Sequence, residues 1–318
     1  MNQRLTLRMA LMLTLPPLMW SANAVVGRLA VAHVPPLTLN FLRWVFALAI
    51  LLPIGWRLFK QPGELARRWR YIALVSLLGV GAYNSLQYVA LQTSTAINAT
   101  LIGASLPMWM MTIGLLYGVR PTARQASGAV VSLAGVALVI SRGSLDVLLH
   151  VRLVPGDLLM LLATAVWALY GWTLARPPAH MRGDQRPDWG WSEMLLAQVL
   201  FGAAWAALAS GTEQIVTRRS IEWSAALVGA LVFIAIGPSV IAYRCWTVGV
   251  ARVGPTIAGF FSNMTPVFAA VMSAALLGEP PRWYHGVAFV LIMAGIVVSS
   301  RNPPQASVPG PQASSRDL

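Results

Sequence analysis

Apolar residues along this chain gather into ten long runs set apart by short polar stretches, at 7–26, 37–54, 71–91, 97–117, 123–141, 157–175, 192–210, 224–250, 256–277 and 284–300. Each is close to the ~20 residues that an α-helix needs to cross a hydrocarbon core about 30 Å thick. The runs are too long for barrel strands and lack sustained alternation. In lipid every backbone donor and acceptor needs an internal partner, which leaves helices as the only candidates. The pattern therefore predicts an all-α integral membrane protein with ten transmembrane helices, five in each half.

The two halves echo each other. Ala99 falls on Ala258, Pro107 on Pro266, Pro121 on Pro280, Val131 on Val290, Val139 on Val298 and Ser141-Arg142 on Ser300-Arg301, all at one spacing of 159 residues. Five spans per half means that the second half enters from the opposite face. The expected architecture is two inverted five-helix repeats, residues 1–142 and 143–301, around a central cavity. Residues 302–318 are rich in Pro, Ser and Gln without periodicity and read as a disordered cytoplasmic tail.

Matched interruptions add to the echo. Pro107 and Pro266 lie near the middle of the fourth and ninth runs, where a proline ring removes a helix hydrogen bond. Gly79 and Gly81 in the third run answer to Gly237 and Pro238 in the eighth. Paired breaks of this kind point to a binding region at mid-membrane depth, as helix-break or gating positions; bending for packing alone is the plainer alternative. Gly114 with Gly118, and Gly128, Ser132 and Gly135 on one face of the fifth run, read as places where neighbouring backbones approach closely.

Composition agrees with a membrane chain: 57% of residues are hydrophobic, 10% are charged, and the mean hydropathy is +0.65. The net charge of +13 would suggest nucleic acid in a soluble protein, so its placement matters. With ten spans, fifteen Lys/Arg residues, Arg57, Lys60, Arg67, Arg68 and Arg70 among them, fall on the face that carries both termini, and six fall on the other. By the positive-inside rule both termini are cytoplasmic, and the charge is a topology signal; no nucleic-acid partner is expected. Arg4 and Arg8 before an apolar run, with Ala22-Asn23-Ala24 after it, also resemble a secretory signal. Retention as the first span is favoured, because its removal would leave the halves unequal.

Polar side chains inside lipid are costly and should face the bundle interior or a wet cavity. Trp20 and Asn23 stand together in the first run, Tyr83 and Gln87 share a face of the third, and Asn98 and Trp109 bracket Pro107 in the fourth. Trp167 and Tyr170 share a face in the sixth; Tyr243, Arg244 and Trp246 or Thr247 follow the break in the eighth; Phe260 and Asn263 precede Pro266 in the ninth. Together they would form a substrate-binding lining of aromatic faces and amide or hydroxyl tips, suited to an uncharged or zwitterionic solute with an apolar body. Arg244 has two readings, a fork for a substrate carboxylate or a cap for loose carbonyls of the broken helix. Arg43, six residues into the second run, is expected to snorkel to the interface. Trp44, Trp56, Trp69, Trp223 and Trp283, near span ends, read as interfacial belt residues.

No Asp or Glu is placed inside a predicted span, Glu213 among those assigned to loops, so uncoupled facilitated transport is the preferred mechanism over proton or sodium coupling. Four scattered His and the single Cys245 give no basis for a metal site, a cofactor or an enzyme's acid, base and nucleophile set. The expected partners are a small-molecule substrate and membrane lipids, with the chain a monomer or weak homodimer.

The segment FFSNMTPVFAAVMSAALLGEPPRWYHGVAFVLIMAGIVVSSR, residues 260–301, resembles the EamA type of the drug/metabolite transporter superfamily, with its central proline, Leu-Gly-Glu ending the ninth span and glycine-containing tenth. The stretch SLPMWMMTIGLLYGVRPTARQASGAVVSLAGVALVI in the first half is similar, but has Val119-Arg120 where the family commonly has Gly-Glu, which leaves Glu279 a helix-end or gating residue. Trp20-x-x-Asn23 and Arg43 also resemble the family pattern. The resemblance covers nearly the whole chain apart from the tail. It implies an exporter of small metabolites in a bacterial inner membrane, amino acids foremost and here aromatic or large neutral ones. The alternative on the same fold is a drug or nucleoside-type exporter, with proton coupling open.

Overall fold

The computed structural model describes residues 5–30, 33–90, 92–94, 96–150, 153–277 and 282–300. The expected tail and Glu279 lie outside the described residues. Helices account for nearly all regular structure, and no strand occurs among the described residues. Seven helical stretches are long and apolar enough to cross a membrane: 36–60, 62–90, 123–140, 155–175, 191–217, 225–253 and 283–300.

In chain order the helices are α1 (Leu7–Ala30), α2 (Pro36–Gly55), α3 (Pro62–Ser76), α4 (Tyr83–Ala90), α5 (Ala96–Gly103), α6 (Leu106–Leu116), α7 (Ala123–Ile140), α8 (Leu145–Leu149), α9 (Pro155–Ala175), α10 (Trp191–Thr217), α11 (Ala225–Ile234), α12 (Ala242–Val253), α13 (Pro255–Phe261), α14 (Thr265–Leu277) and α15 (Trp283–Ser300). The fourth and ninth apolar runs do not form unbroken helices. Each divides just before its proline: α5 stops at Gly103 and α6 restarts with Pro107 in its first turn, while a 3₁₀ turn at Ser262–Met264 separates α13 from α14, which restarts with Pro266. A proline suits a first turn because its missing N–H would have no partner there. Both prolines are buried within the bundle.

The glycine-bearing breaks take another form. α3 passes to α4 through a π turn at Leu77–Ala82, and α11 passes to α12 through a second at Ala235–Ile241. The wider turn is explicit at each exit, where Tyr83 N bonds Leu78 O and Ala242 N bonds Gly237 O, five residues back. In the second turn the cause is Pro238, which cannot donate to Ile234 O; the Ser239 hydroxyl donates to that carbonyl instead, at 2.9 Å. π turns inside α-helices concentrate at functional sites.

Small residues bring the helices together. A Cβ on Gly128 would meet Gly295 O at 2.7 Å, and one on Gly135 would meet Ala288 O at 2.9 Å. The register descends on α15 as it climbs on α7, so the two run antiparallel with backbones in contact, the role foreseen for the Gly128, Ser132 and Gly135 face.

Two expectations change. α10 runs on through Gly211 to Thr217, so Glu213 is helical. It is buried because its carboxylate accepts the otherwise orphaned N–H groups of Leu37 and Thr38 at 3.0 and 2.7 Å, and the Thr38 hydroxyl at 3.0 Å, capping α2 across space. Arg43 does not snorkel. It is 2% exposed, held inside the bundle by hydrogen bonds that repay part of its desolvation.

Candidate functional site

The two π turns meet at Arg43. Its Nε donates to Ser239 Oγ at 3.1 Å, and its Nη1 donates to Asn84 Oδ1 at 3.2 Å and to Tyr88 OH at 3.5 Å. Asn84 Nδ2 in turn donates to Gly79 O at 3.0 Å, Val80 O at 3.3 Å and Tyr243 OH at 3.2 Å. Tyr243 OH donates to Gly79 O at 2.6 Å. Carbonyls loosened by the first turn are thus satisfied by side chains, one of them from the far half of the chain, and a single guanidinium links the second turn directly and the first through Asn84. The guanidinium also lies 4.7 Å from the Trp44 ring centroid, so Trp44 is fully buried and not an interfacial residue.

Beside this network the expected aromatic residues converge on Trp167. Its ring lies 5.3 Å from Trp20, 4.6 Å from Tyr83, 4.9 Å from Tyr170, 5.5 Å from Tyr243 and 5.3 Å from Trp246, in edge-on or tilted pairs. Trp20 Nε1 donates to Pro238 O at 3.3 Å, filling another acceptor of the second break. Gly79 makes the packing possible, since a Cβ there would lie 2.6 Å from the Tyr170 ring; at Gly81 it would lie 2.9 Å from Trp205, and at Gly237 3.0 Å from Met19 Sδ. These rings fill space against one another and form a plug between helices of both halves.

Other candidates lie elsewhere. Asn263 is buried, its Nδ2 donating to Ser132 Oγ at 2.8 Å, and so joins the α13–α14 break to α7. Phe260 is fully buried in the core, and Trp109 packs against that core without joining the ring cluster among the described residues. Gln87 is half-buried one turn beyond Tyr83, and Asn23 keeps a buried Oδ1 with no hydrogen-bond partner. The side chain of Asn98 lies outside what the structure describes.

A cavity of about 130 Å³ opens beneath the plug, toward the end of the bundle that carries the 176–190 connection. That size is of the order of an apolar cavity able to take a benzene ring. Of the residues singled out from sequence, Tyr243, Arg244 and Thr247, the last rather than its alternative Trp246, line it. The rest of the wall comes from Tyr71, Trp191, Met194, Gln198 and Arg252 with neighbours, and from Met181 and Arg186 in the connection. Gln198 accepts the Tyr170 hydroxyl at 3.1 Å, which couples the cavity roof to the plug. Arg244 lies over Trp191 at 4.3 Å from its ring centroid. The connection is held by buried Arg68, which donates to His180 O at 3.1 Å and Gln185 O at 2.5 Å and pairs with Glu64. Beyond Tyr243, Arg244 and Thr247, sequence reading missed this wall, although it is a helical stripe on each side: 191, 194/195, 198 on α10 and 244, 247/248, 251/252 on α12.

An all-helical, multi-pass bundle with an internal cavity and paired helix breaks has the form of a membrane transporter. The EamA-like transporter family matches residues 7–141 and 154–301, and the chain belongs to that family. It is 25% identical over 293 residues to an uncharacterized transporter of Archaeoglobus fulgidus, covering 91% of this chain and 96% of that one. It is 26% identical to the uncharacterized inner membrane transporter YedA of Escherichia coli K12, over 88% and 87% of the two chains. It is 24% identical to the aromatic amino acid exporter YddG of Ancylobacter novellus, over 89% and 93%. A solved crystal structure at 22% identity superposes with a TM-score of 0.72 over 92% of this chain and 96% of the other, which shows the shared fold.

Proposed function

We propose that this protein exports small organic metabolites with an apolar or aromatic body, aromatic and large neutral amino acids first among them, across a bacterial inner membrane. The observation that carries the reading is a cavity that reaches Tyr243 at the edge of a plug of edge-on and tilted aromatic rings, where the two π-broken helices meet. Aromatic walls supply apolar contact area while amide and hydroxyl groups orient a solute, and a relative of the chain is named an aromatic amino acid exporter.

Ten spans in two inverted repeats remain the architecture that best accounts for the breaks. Asn84 and Tyr243, which hydrogen-bond to each other, are 159 residues apart, the spacing of the sequence echo. Two equivalent positions can touch only near the axis that exchanges the halves. With both termini cytoplasmic, the cavity opens to the cytoplasm, the state in which an exporter loads. Movement is uncoupled on this reading, because the buried carboxylates are engaged at helix starts: Asp157 by Val154 N and Ser94, Glu193 by Ser192 Oγ, Glu213 by α2.

Counterflow into proteoliposomes, with labelled phenylalanine, tryptophan, leucine and a nucleoside run with and without a pH gradient, tests the proposal. Exchange of the amino acids, unchanged by the gradient, is the expected result. Exchange of the nucleoside alone, or accumulation driven by the gradient, would overturn it.

A further inference from the structure

The cavity wall is charged in one sense. Arg186, Arg244 and Arg252 line it, and no carboxylate does so among the described residues. Arg244 and Arg252 lie two turns apart on one face of α12, so their head groups border the same space. Arg244 lies over Trp191, its Cζ 4.3 Å from the ring centroid, and donates no hydrogen bond to the described protein. Arg252 Nε is buried without a hydrogen-bond partner. Arg244 and Arg252 are half-buried, and a buried donor such as Arg252 Nε is unfavourable without an acceptor; a bidentate carboxylate supplies both charge and acceptors.

The same wall offers an ammonium group no carboxylate among the described residues, only neutral acceptors such as the Tyr71 and Thr247 hydroxyls. One acid on α10 near this space, Glu193, is buried and accepts from Ser192 Oγ at 3.0 Å. The amide oxygen of Gln198 already accepts from Tyr170. One face of Trp191 is covered by Arg244. An amine entering would meet like charge.

Resting on the transport reading above, we infer that this cavity recognises its solute by the carboxylate and an apolar body and does not read an α-amino group. Its substrate class is therefore aryl and alkyl carboxylates, amino acids being members that carry an amine the site ignores. Arg244 and Arg252 are the anchors, and Trp191 and Tyr243 the apolar walls.

Three probes with one indole body separate the possibilities on the purified full-length protein: N-acetyltryptophan (anion), tryptophan (zwitterion) and tryptamine (cation), with affinities from titration calorimetry in detergent. The anion should bind at least as tightly as the zwitterion, and the cation at least tenfold more weakly. Arg244→Gln and Arg252→Gln should each weaken the anion about tenfold, with Arg244→Lys in between and tryptamine bound no more weakly than by the wild type. Tryptophan binding tenfold more tightly than its acetylated form, tryptamine binding equally well, or no probe binding at all would overturn the inference. The wild-type comparison stands even if a variant does not fold. Counterflow is read separately: binding in this order without exchange would sink the transport reading and keep the site, while exchange with the opposite order would do the reverse.

Discussion

Arg43 shows at the scale of one residue how a costly group can become structural. A guanidinium 2% exposed within the bundle meets no carboxylate among the described residues, and its favourable terms are the bonds to Ser239, Asn84 and Tyr88 and the Trp44 face. Hydrogen bonds with a charged partner contribute about 1.5–3 kcal/mol each, and a buried group left unpaired costs a similar amount. Arg43→Gln, too short to reach both Ser239 and Asn84, should therefore destabilise the protein by roughly 2–4 kcal/mol, with Arg43→Lys intermediate because it keeps the charge but loses the fork. Thermal unfolding in detergent measures this. In a cycle with Ser239→Ala the two losses should fall short of additive, since each removes the same bond. Equal stability of Arg43→Gln and wild type would show that the network carries no weight.

At the scale of elements, what is covalently local was legible and what is supplied across space was not. Pro107 and Pro266 announced their breaks because a missing N–H is a property of the residue. Gly79 with Gly81, and Gly237 with Pro238, likewise marked the two widened turns. Glu213 read as a loop residue because a carboxylate is costly in an apolar run; its compensation, the start of α2, lies 175 residues away in sequence. Periodicity placed Trp20, Trp167, Tyr170 and Tyr243 on inward faces, but it gives a face and not its neighbour, so rings expected around a space instead pack on one another. The α7–α15 contact was readable from glycine spacing and gives a sharp test. A Cβ on Gly295 would lie 2.6 Å from Gly128 O and 2.7 Å from Ser132 Cβ, and backbone cannot yield as a flexible side chain would. Gly295→Ala should cost about 1–3 kcal/mol by overpacking, whereas Gly286→Ala on the same helix, with open space around it, should be neutral or slightly stabilising. Thermal unfolding of the two variants side by side distinguishes a tight interface from a general intolerance of α15.

For the whole molecule, on the proposed alternating-access reading, the plug would set the height of the conformational step. Trp167 contacts Tyr83 from the first half and Tyr243 and Trp246 from the second, and such ring pairs contribute about 0.5–1.5 kcal/mol each beyond area burial. Parting several of them requires a few kcal/mol, an amount that solute binding can shift if the solute's rings replace the lost contacts. The plug would then be a competitor for the substrate's own place, and the cavity below it a loading vestibule. Access should follow: a thiol introduced at Ala251, which lines the cavity, in a Cys245→Ser background, should react with an impermeant maleimide from the face bearing the termini and not from the other. Saturating aromatic solute should slow that reaction, both by occupying the vestibule and by drawing the protein toward the opposite opening. Equal labelling from both faces of oriented vesicles would mean a continuous pore, in which the rings around Trp167 part without solute and do not gate.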